Sequence, residues 1–178
     1  MKKVLVISTS LRPDSNSDRL AQEFARGAGE SGNDVEVISL KGKEIRFCTG
    51  CMSCMKTKRC AQKDDTEEIR EKMCAADVLA FATPIYYYEM SGQMKTLLDR
   101  MNPLFIADYS FRDVYLLACA AEKGDNVPLR AEIGLGGFLA CFPKARLAGS
   151  VFAGGVTEAG EIEGHEALER AHEEGKNV

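Results

Sequence analysis

Residues 3–9 read KVLVIST, an unbroken apolar and β-branched run that turns polar only at its end. A strand with one wet face alternates polar and apolar residues; this one does not, so both of its faces must be covered. The same demand recurs at 78–83 (VLAFAT); 114–121 (VYLLACAA) and 145–154 hold two further strands, while 35–40 (VEVISL) alternates as a shorter, edge-side strand. Helical spacing fills the gaps. Leu20, Ala21, Phe24, Ala25 and Ala28 form one apolar stripe, with Gly29 and Gly32 marking the exit. Asp65-Thr66-Glu67-Glu68 has a capping-box pattern before Ile69 and Met73. Ser91 starts a helix whose Met94, Leu97, Leu98 and Met101 share a face, and Asn102-Pro103 stops it. A fourth helical pattern, 127–142, is interrupted by Gly134, Gly136 and Gly137, and a charged segment from about 161 forms a solvated last helix. Strand and helix thus alternate five times. That pattern predicts an α/β fold: a doubly wound, five-stranded parallel sheet with helices on both faces.

At 178 residues the chain fits one domain, residues 1–178, with a cysteine-rich loop at 47–65. Apolar residues make up 45% and charged residues 28%, and the net charge of −4 does not favour nucleic acid or an anionic membrane. The opening MKKVLVISTS is too short for a secretory signal, and no stretch approaches the roughly 20 apolar residues of a membrane span. A cytoplasmic protein is expected. Its seven cysteines then read as thiols, ligands or redox groups rather than disulfides.

In such sheets ligands bind outside the carboxyl ends of the strands, where the winding reverses. The loop after the first strand, residues 8–17, packs five hydroxyls, an amide and a guanidinium into ten positions. A helix N-terminus offers free N–H groups and a positive dipole end, which suits a phosphate, and Arg12 can add a charge-assisted bond. The GxGxxG and GxxxxGK[ST] fingerprints are absent, so a terminal monophosphate suits the loop better than a pyrophosphate. Any one serine could be only an N-cap or turn residue; the whole set reads as a phosphate site. Pro84 directs the backbone as the chain leaves the third strand, and the tyrosines that follow offer flat surface to an aromatic ligand. Lys95, Asp99 and Arg100 read as solvated helix faces or subunit contacts. His165 and His172 lie in the charged tail, where a surface role is expected.

STSLRPDSNSDRLA resembles the G-S-x-R-x-x-S/G-N-S/T-x-x-L-A signature of the flavodoxin-like NAD(P)H-dependent FMN reductases. TPIYYYEMSGQMKTLLDRM, residues 83–101, is similar to a second segment of that superfamily. The resemblance implies a flavodoxin-like sheet of order 2-1-3-4-5. It implies FMN, with Ser10, Arg12, Asn16 and Ser17 on the phosphate and Pro84, Ile85, Tyr86 and Tyr87 along the ribityl chain and isoalloxazine edge. It also implies NAD(P)H as electron donor and a homodimer or homotetramer. Thr9 stands where relatives commonly carry glycine. The loop after the fourth strand, residues 119–125, should border the flavin.

Cys48, Cys51, Cys54 and Cys60 fall within thirteen residues, spaced C-x2-C-x2-C-x5-C. Paired zinc knuckles are usually separated by a longer segment. The spacing resembles the compact motif of the iron–sulfur flavoproteins, a branch of the same superfamily, which implies that the four cysteines hold a [4Fe–4S] cluster beside the flavin, with Lys56, Lys58 and Arg59 offsetting its charge. Three readings follow. The chain is an FMN oxidoreductase whose cluster relays electrons from a donor such as ferredoxin; or an NAD(P)H-dependent flavin reductase with free cysteines; or a non-enzymatic flavodoxin-type carrier. Cys74, Cys119 and Cys141 lie singly in apolar surroundings and are expected to be small buried hydrophobes.

Overall fold

The computed structural model describes residues 1–178. In chain order the elements are β1 (Lys3–Ser8), α1 (Asn16–Glu30), β2 (Asp34–Ser39), α2 (Cys54–Thr57), α3 (Thr66–Ala75), β3 (Val78–Tyr86), β4 (Glu89–Met90), α4 (Gly92–Arg100), a 3-10 turn (Asn102–Ile106), β5 (Asp113–Ala120), α5 (Leu129–Leu139), β6 (Arg146–Gly154) and α6 (Glu166–Lys176). Five strands are parallel in the order β2-β1-β3-β5-β6, which is the expected 2-1-3-4-5 order in chain sequence. The sheet has six strands rather than five, because the two-residue β4 pairs antiparallel with the end of β3.

The unbroken apolar strands serve two cores. Leu5, Ile7, Leu79, Phe81, Val114 and Leu116 face α3, α4 and α5, while Val4, Val6, Val78, Ala80, Tyr115 and Leu117 face α1 and α6. Alternate side chains point to opposite faces of a strand, so a strand covered on both sides has no polar position to spare. Phe81 is wholly buried in the first core, where truncation to alanine would cost roughly 3–5 kcal/mol.

On the second face, α1 and α6 touch backbone to backbone. A Cβ on Gly27 would lie 2.0 Å from the carbonyl oxygen of His172, and one on Gly175 would lie 2.1 Å from that of Phe24. Glycine is required at both positions by contact rather than by a turn.

Three local expectations are corrected. β3 does not end before Pro84 but continues to Tyr86, because Ile85 and Tyr86 pair with Met90 and Glu89 in a hairpin. The Asp65 side chain does not cap α3; it accepts from the Glu44 N–H, and Asp64 Oδ1 instead accepts from Thr66 N at 3.1 Å. The helical pattern over 127–142 forms a helix from Leu129 to Leu139 (α5), unbroken at its glycines, since Ala131, Leu135 and Leu139 bury one face, and Gly134 admits Met90 and Glu89 of the hairpin.

Candidate functional site

Two cavities that share Tyr86 lie at the carboxyl ends of the strands, and a third lies between the cysteine loop and the end of α4. The first, about 250 Å³, is lined by Ser10, Arg12, Ser15, Asn16, Pro84, Ile85, Tyr86, Cys119, Ala120, Ala121, Val156 and Thr157. It lies at the N-terminus of α1, whose first-turn N–H groups have no intrahelical acceptor. Ser10, Ser15, Asn16 and Ser17 are buried although polar. Ser15 Oγ and Ser17 Oγ lie 2.9 Å apart, and Ser15 also accepts from Asp18 N as the helix cap. Arg12 extends over the cavity mouth, donating to Thr157 O at 2.5 Å and to Glu158 at 3.0 Å. Asn16 is a brace at both ends: its Nδ2 donates to Glu158 O and its Oδ1 accepts from Ile162 N.

Of the residues expected from the sequence, Ser10, Arg12, Asn16, Pro84, Ile85 and Tyr86 line this cavity together, and Ser17 sits just behind it. Tyr87 does not; it stands 98% exposed at the hairpin tip. The donor set of buried hydroxyls, free helix N–H groups and a guanidinium has the chemistry of a phosphate-monoester site. Thr9 is held structurally: its Oγ1 donates to Ala82 O at 2.9 Å and lies 3.1 Å from Ser91 Oγ. Cys119 is buried as expected, and burial pushes its thiol up to about 12, despite hydrogen bonds with Ser17. It is a neutral thiol at any physiological pH.

The hairpin turn is strained. Tyr87 and Tyr88 have φ of 51° and 66°, the left-handed values that a two-residue turn of this type demands and that Asn-Gly usually supplies. Bulky residues hold such values at a cost of about 1–3 kcal/mol each and do so mostly where function requires it. Tyr88 OH meets Glu122 Oε2 at 2.5 Å, tying the hairpin to the loop after β5.

Past Tyr86 lies a larger apolar cleft of about 500 Å³, bordered also by Leu11, Leu40, Ile45, Phe47 and Gln93. Phe47 in turn begins the cysteine loop.

Cys48, Cys51, Cys54 and Cys60 all line a third cavity of about 340 Å³, closed on its far side by Asp99, Arg100, Asn102 and Pro103. No three His, Cys, Asp or Glu side chains converge as the ligands of one ion would. The sulfurs are spread around a cavity, and a cubane takes one cysteine on each iron. Asn102 Nδ2 donates to Cys54 Sγ at 3.1 Å and Arg100 Nη2 to Cys60 Sγ at 3.3 Å. The Ser53 backbone N–H, followed by Thr49 and Ser53 side-chain bonds, lowers the Cys51 thiol below its ordinary value. These are donors to thiolate, so the residues present fit a thiolate-bound cluster.

Tight turning shapes this loop, with positive φ at Gly50, Met52 and Lys58, and its two ends are laced together by Asp64 and Asp65 accepting from the N–H groups of Arg46 and Glu44. Arg59 is paired outward with Glu67 and Glu71.

Arg100 is a correction. It is not a solvated helix face: only 2% exposed, it forks onto Asp64 at 2.6 and 3.0 Å and onto Arg46 O at 2.7 Å. Lys95 and Asp99 do pair at the surface, as expected. Cys141 and Cys74 also depart from expectation, the first being exposed and the second half-buried. The two histidines are structural. His165 Nδ1 caps α6 by accepting from Ala167 N, and His172 Nε2 meets Glu30 Oε2 at 2.8 Å. Val156 and Thr157 were not foreseen at the first cavity; nothing in GGVTEAGEIEGH distinguishes a site loop from a charged tail.

Residues 2–167 match the family model described as NADPH-dependent FMN reductase. An iron-sulfur flavoprotein of Methanocaldococcus jannaschii is 40% identical over 104 residues, covering 58% of this chain and 54% of that protein. A Bacillus subtilis protein named as an NAD(P)H-dependent FMN-containing oxidoreductase is 30% identical over 136 residues, 72% of this chain and 70% of that one. The chain spans about half the length of the iron-sulfur flavoproteins it matches. In fold it is similar to an NAD(P)H:quinone oxidoreductase from Methanothermobacter marburgensis, with a TM-score of 0.77 at 19% identity over 99% of this chain and 95% of that one.

Proposed function

The chain belongs to the NADPH-dependent FMN reductase family, and from that premise we propose that it is an FMN oxidoreductase of the iron–sulfur flavoprotein type. The observation that carries the reading is that all four clustered cysteines line one cavity, while Phe47, next to Cys48 in the chain, borders the cleft that shares Tyr86 with the hydroxyl-lined cavity.

Ser10, Arg12 and Ser17, with the N-terminus of α1, would hold the flavin phosphate, and Asn16 would brace the loop 156–162 over it. Pro84, Ile85 and Tyr86 would follow the ribityl chain and the ring, with Tyr87 at its exposed edge. Cys48, Cys51, Cys54 and Cys60 would ligate a [4Fe–4S] cluster. FMN exchanges electrons one or two at a time and a cluster exchanges them singly, so the pair can join a nicotinamide or quinone-like partner to a one-electron donor such as ferredoxin. The protein's part is orientation and exclusion of water. Leu11, Leu40, Ile45 and Phe47 offer apolar surface beside the flavin ring, and no acid–base side chain is needed where hydride passes to a flavin. The exposed Tyr87 at the edge of the site supports a subunit contact in a homodimer or homotetramer.

A second reading is favoured by one observation: the Bacillus subtilis relative, named without reference to iron or sulfur, matches more of this chain than the iron-sulfur flavoproteins do. Here the enzyme would be a plain NAD(P)H-dependent flavin reductase with free cysteines. Purification without oxygen, followed by a visible spectrum and iron, sulfide and FMN assays, separates the two. About four iron and four sulfide per FMN support the first reading. FMN with neither iron nor sulfide refutes it, and absence of FMN under all conditions refutes both.

A further inference from the structure

The protein wall of the cysteine cavity is one short segment, Asp99 to Pro103, at the end of α4. Two of its side chains aim N–H groups at sulfur: Arg100 Nη2 at Cys60 and Asn102 Nδ2 at Cys54. A guanidinium this deeply buried is costly unless its charge and N–H groups are met. Asp64 meets one edge of it and Arg46 O takes a further bond, while Nε remains without a partner. Neutralising the charge needs only Asp64; reaching Cys60 is additional.

Resting on the reading of the four cysteines as cluster ligands, we infer that Arg100 and Asn102 are positioning residues for that cluster, donating N–H···S bonds to the Cys60 and Cys54 thiolates and raising its reduction potential, with Asp64 holding Arg100 in place. One-electron reduction adds negative charge to the sulfur-ligated group. A donor aimed at sulfur stabilises the more negative state more strongly, so each donor shifts the potential upward and its removal shifts it downward.

The test uses the whole chain, purified without oxygen, in three variants. Asn102→Leu keeps the side chain's size and removes its N–H. Asn102→Gln restores an N–H on a longer stem. Arg100→Lys keeps charge and removes the planar fork. Iron and sulfide per chain are measured first. A redox titration with dithionite, followed by the electron paramagnetic resonance of the reduced cluster, then gives the midpoint. With wild-type iron content, Asn102→Leu is expected to titrate at a more negative potential, and Asn102→Gln to return toward wild type. Arg100→Lys is expected to shift the same way as Asn102→Leu, and the Asn102 pair decides the matter alone if that variant does not fold. Full iron with an unchanged midpoint in Asn102→Leu overturns the inference and leaves the cluster reading standing. A wild-type protein holding FMN but no iron or sulfide overturns the cluster reading and the inference with it.

Discussion

Arg100 Nη1 meets Asp64 Oδ2 at 2.6 Å with the two side chains 1% and 0% exposed. The pair joins the end of α4 to the base of the cysteine loop, across 36 residues of chain. Breaking one half of a buried pair leaves the other charge unmet, at about 3–5 kcal/mol. Asp64→Asn is therefore expected to lower the urea unfolding free energy by an amount in that range. Asp64→Leu combined with Arg100→Met, which removes both charges, should cost less than Asp64→Asn alone.

The same pair predicts a pH dependence. Burial pushes the Asp64 carboxyl up, but hydrogen bonds from Arg100, with the N–H groups of Thr66 and Arg46, outweigh it and hold the group well below the usual carboxylate range. A depressed value means that the stabilisation is complete above about pH 4, the unfolded value, and is lost as pH falls further. Urea midpoints measured from pH 6 down to pH 2 should fall more steeply for wild type than for Asp64→Asn, the two curves converging at the acid end. Parallel curves would contradict this.

Gly27 and Gly175 allow α1 and α6 to meet at backbone distance. Alanine at either position must push the helices apart, an overpacking cost of about 1–3 kcal/mol. Gly27→Ala and Gly175→Ala should each lower the thermal midpoint while FMN content per folded chain, measured by absorbance after acid release, stays near wild type. Equal stability would mean that the two helices are free to shift.

For the flavin site, Ser10→Ala with Arg12→Ala removes a hydroxyl and a guanidinium from the phosphate end. Hydrogen bonds to charged groups contribute about 1.5–3 kcal/mol each, so losing both should lower FMN affinity roughly a hundredfold or more. Fluorescence titration of apoprotein with FMN measures it. Riboflavin, which lacks the phosphate, should bind wild type and variant alike. Unchanged FMN affinity would place the phosphate elsewhere.

What could be read in advance depended on how locally each feature is encoded. KVLVIST announces a doubly covered strand by itself, and five strand runs with intervening helical stripes leave few topologies. The hydroxyl-rich loop after β1 was legible as a unit because Ser8 to Ser17 lie within ten residues, and the structure brings Ser10, Arg12, Ser15 and Asn16 of it to one cavity. β4 was not: a Tyr-Tyr turn at positive φ gives none of the Asn-Gly signal by which tight hairpins are found. Arg100 was misread because a basic residue at the end of an amphipathic helix is ordinarily solvated. Its burial depends on Asp64, a partner no periodicity reveals. The loop 155–165 reached the first cavity for a similar reason, since its tie to α1 is the distant Asn16 side chain.

The wall at residues 99–103 belongs to a helix whose Met94, Leu97 and Leu98 are core residues, whereas α2 within the cysteine loop buries none of its own. The two halves of that cavity are therefore stabilised by different things. One half is complete as soon as the sheet has its helices; the other is anchored at its base and has little apolar weight to close it. Under the proposed cluster reading, maturation would then be a matter of order: the chain folds first and presents a finished half-mould, and binding of iron and sulfur would be a late, local closing step.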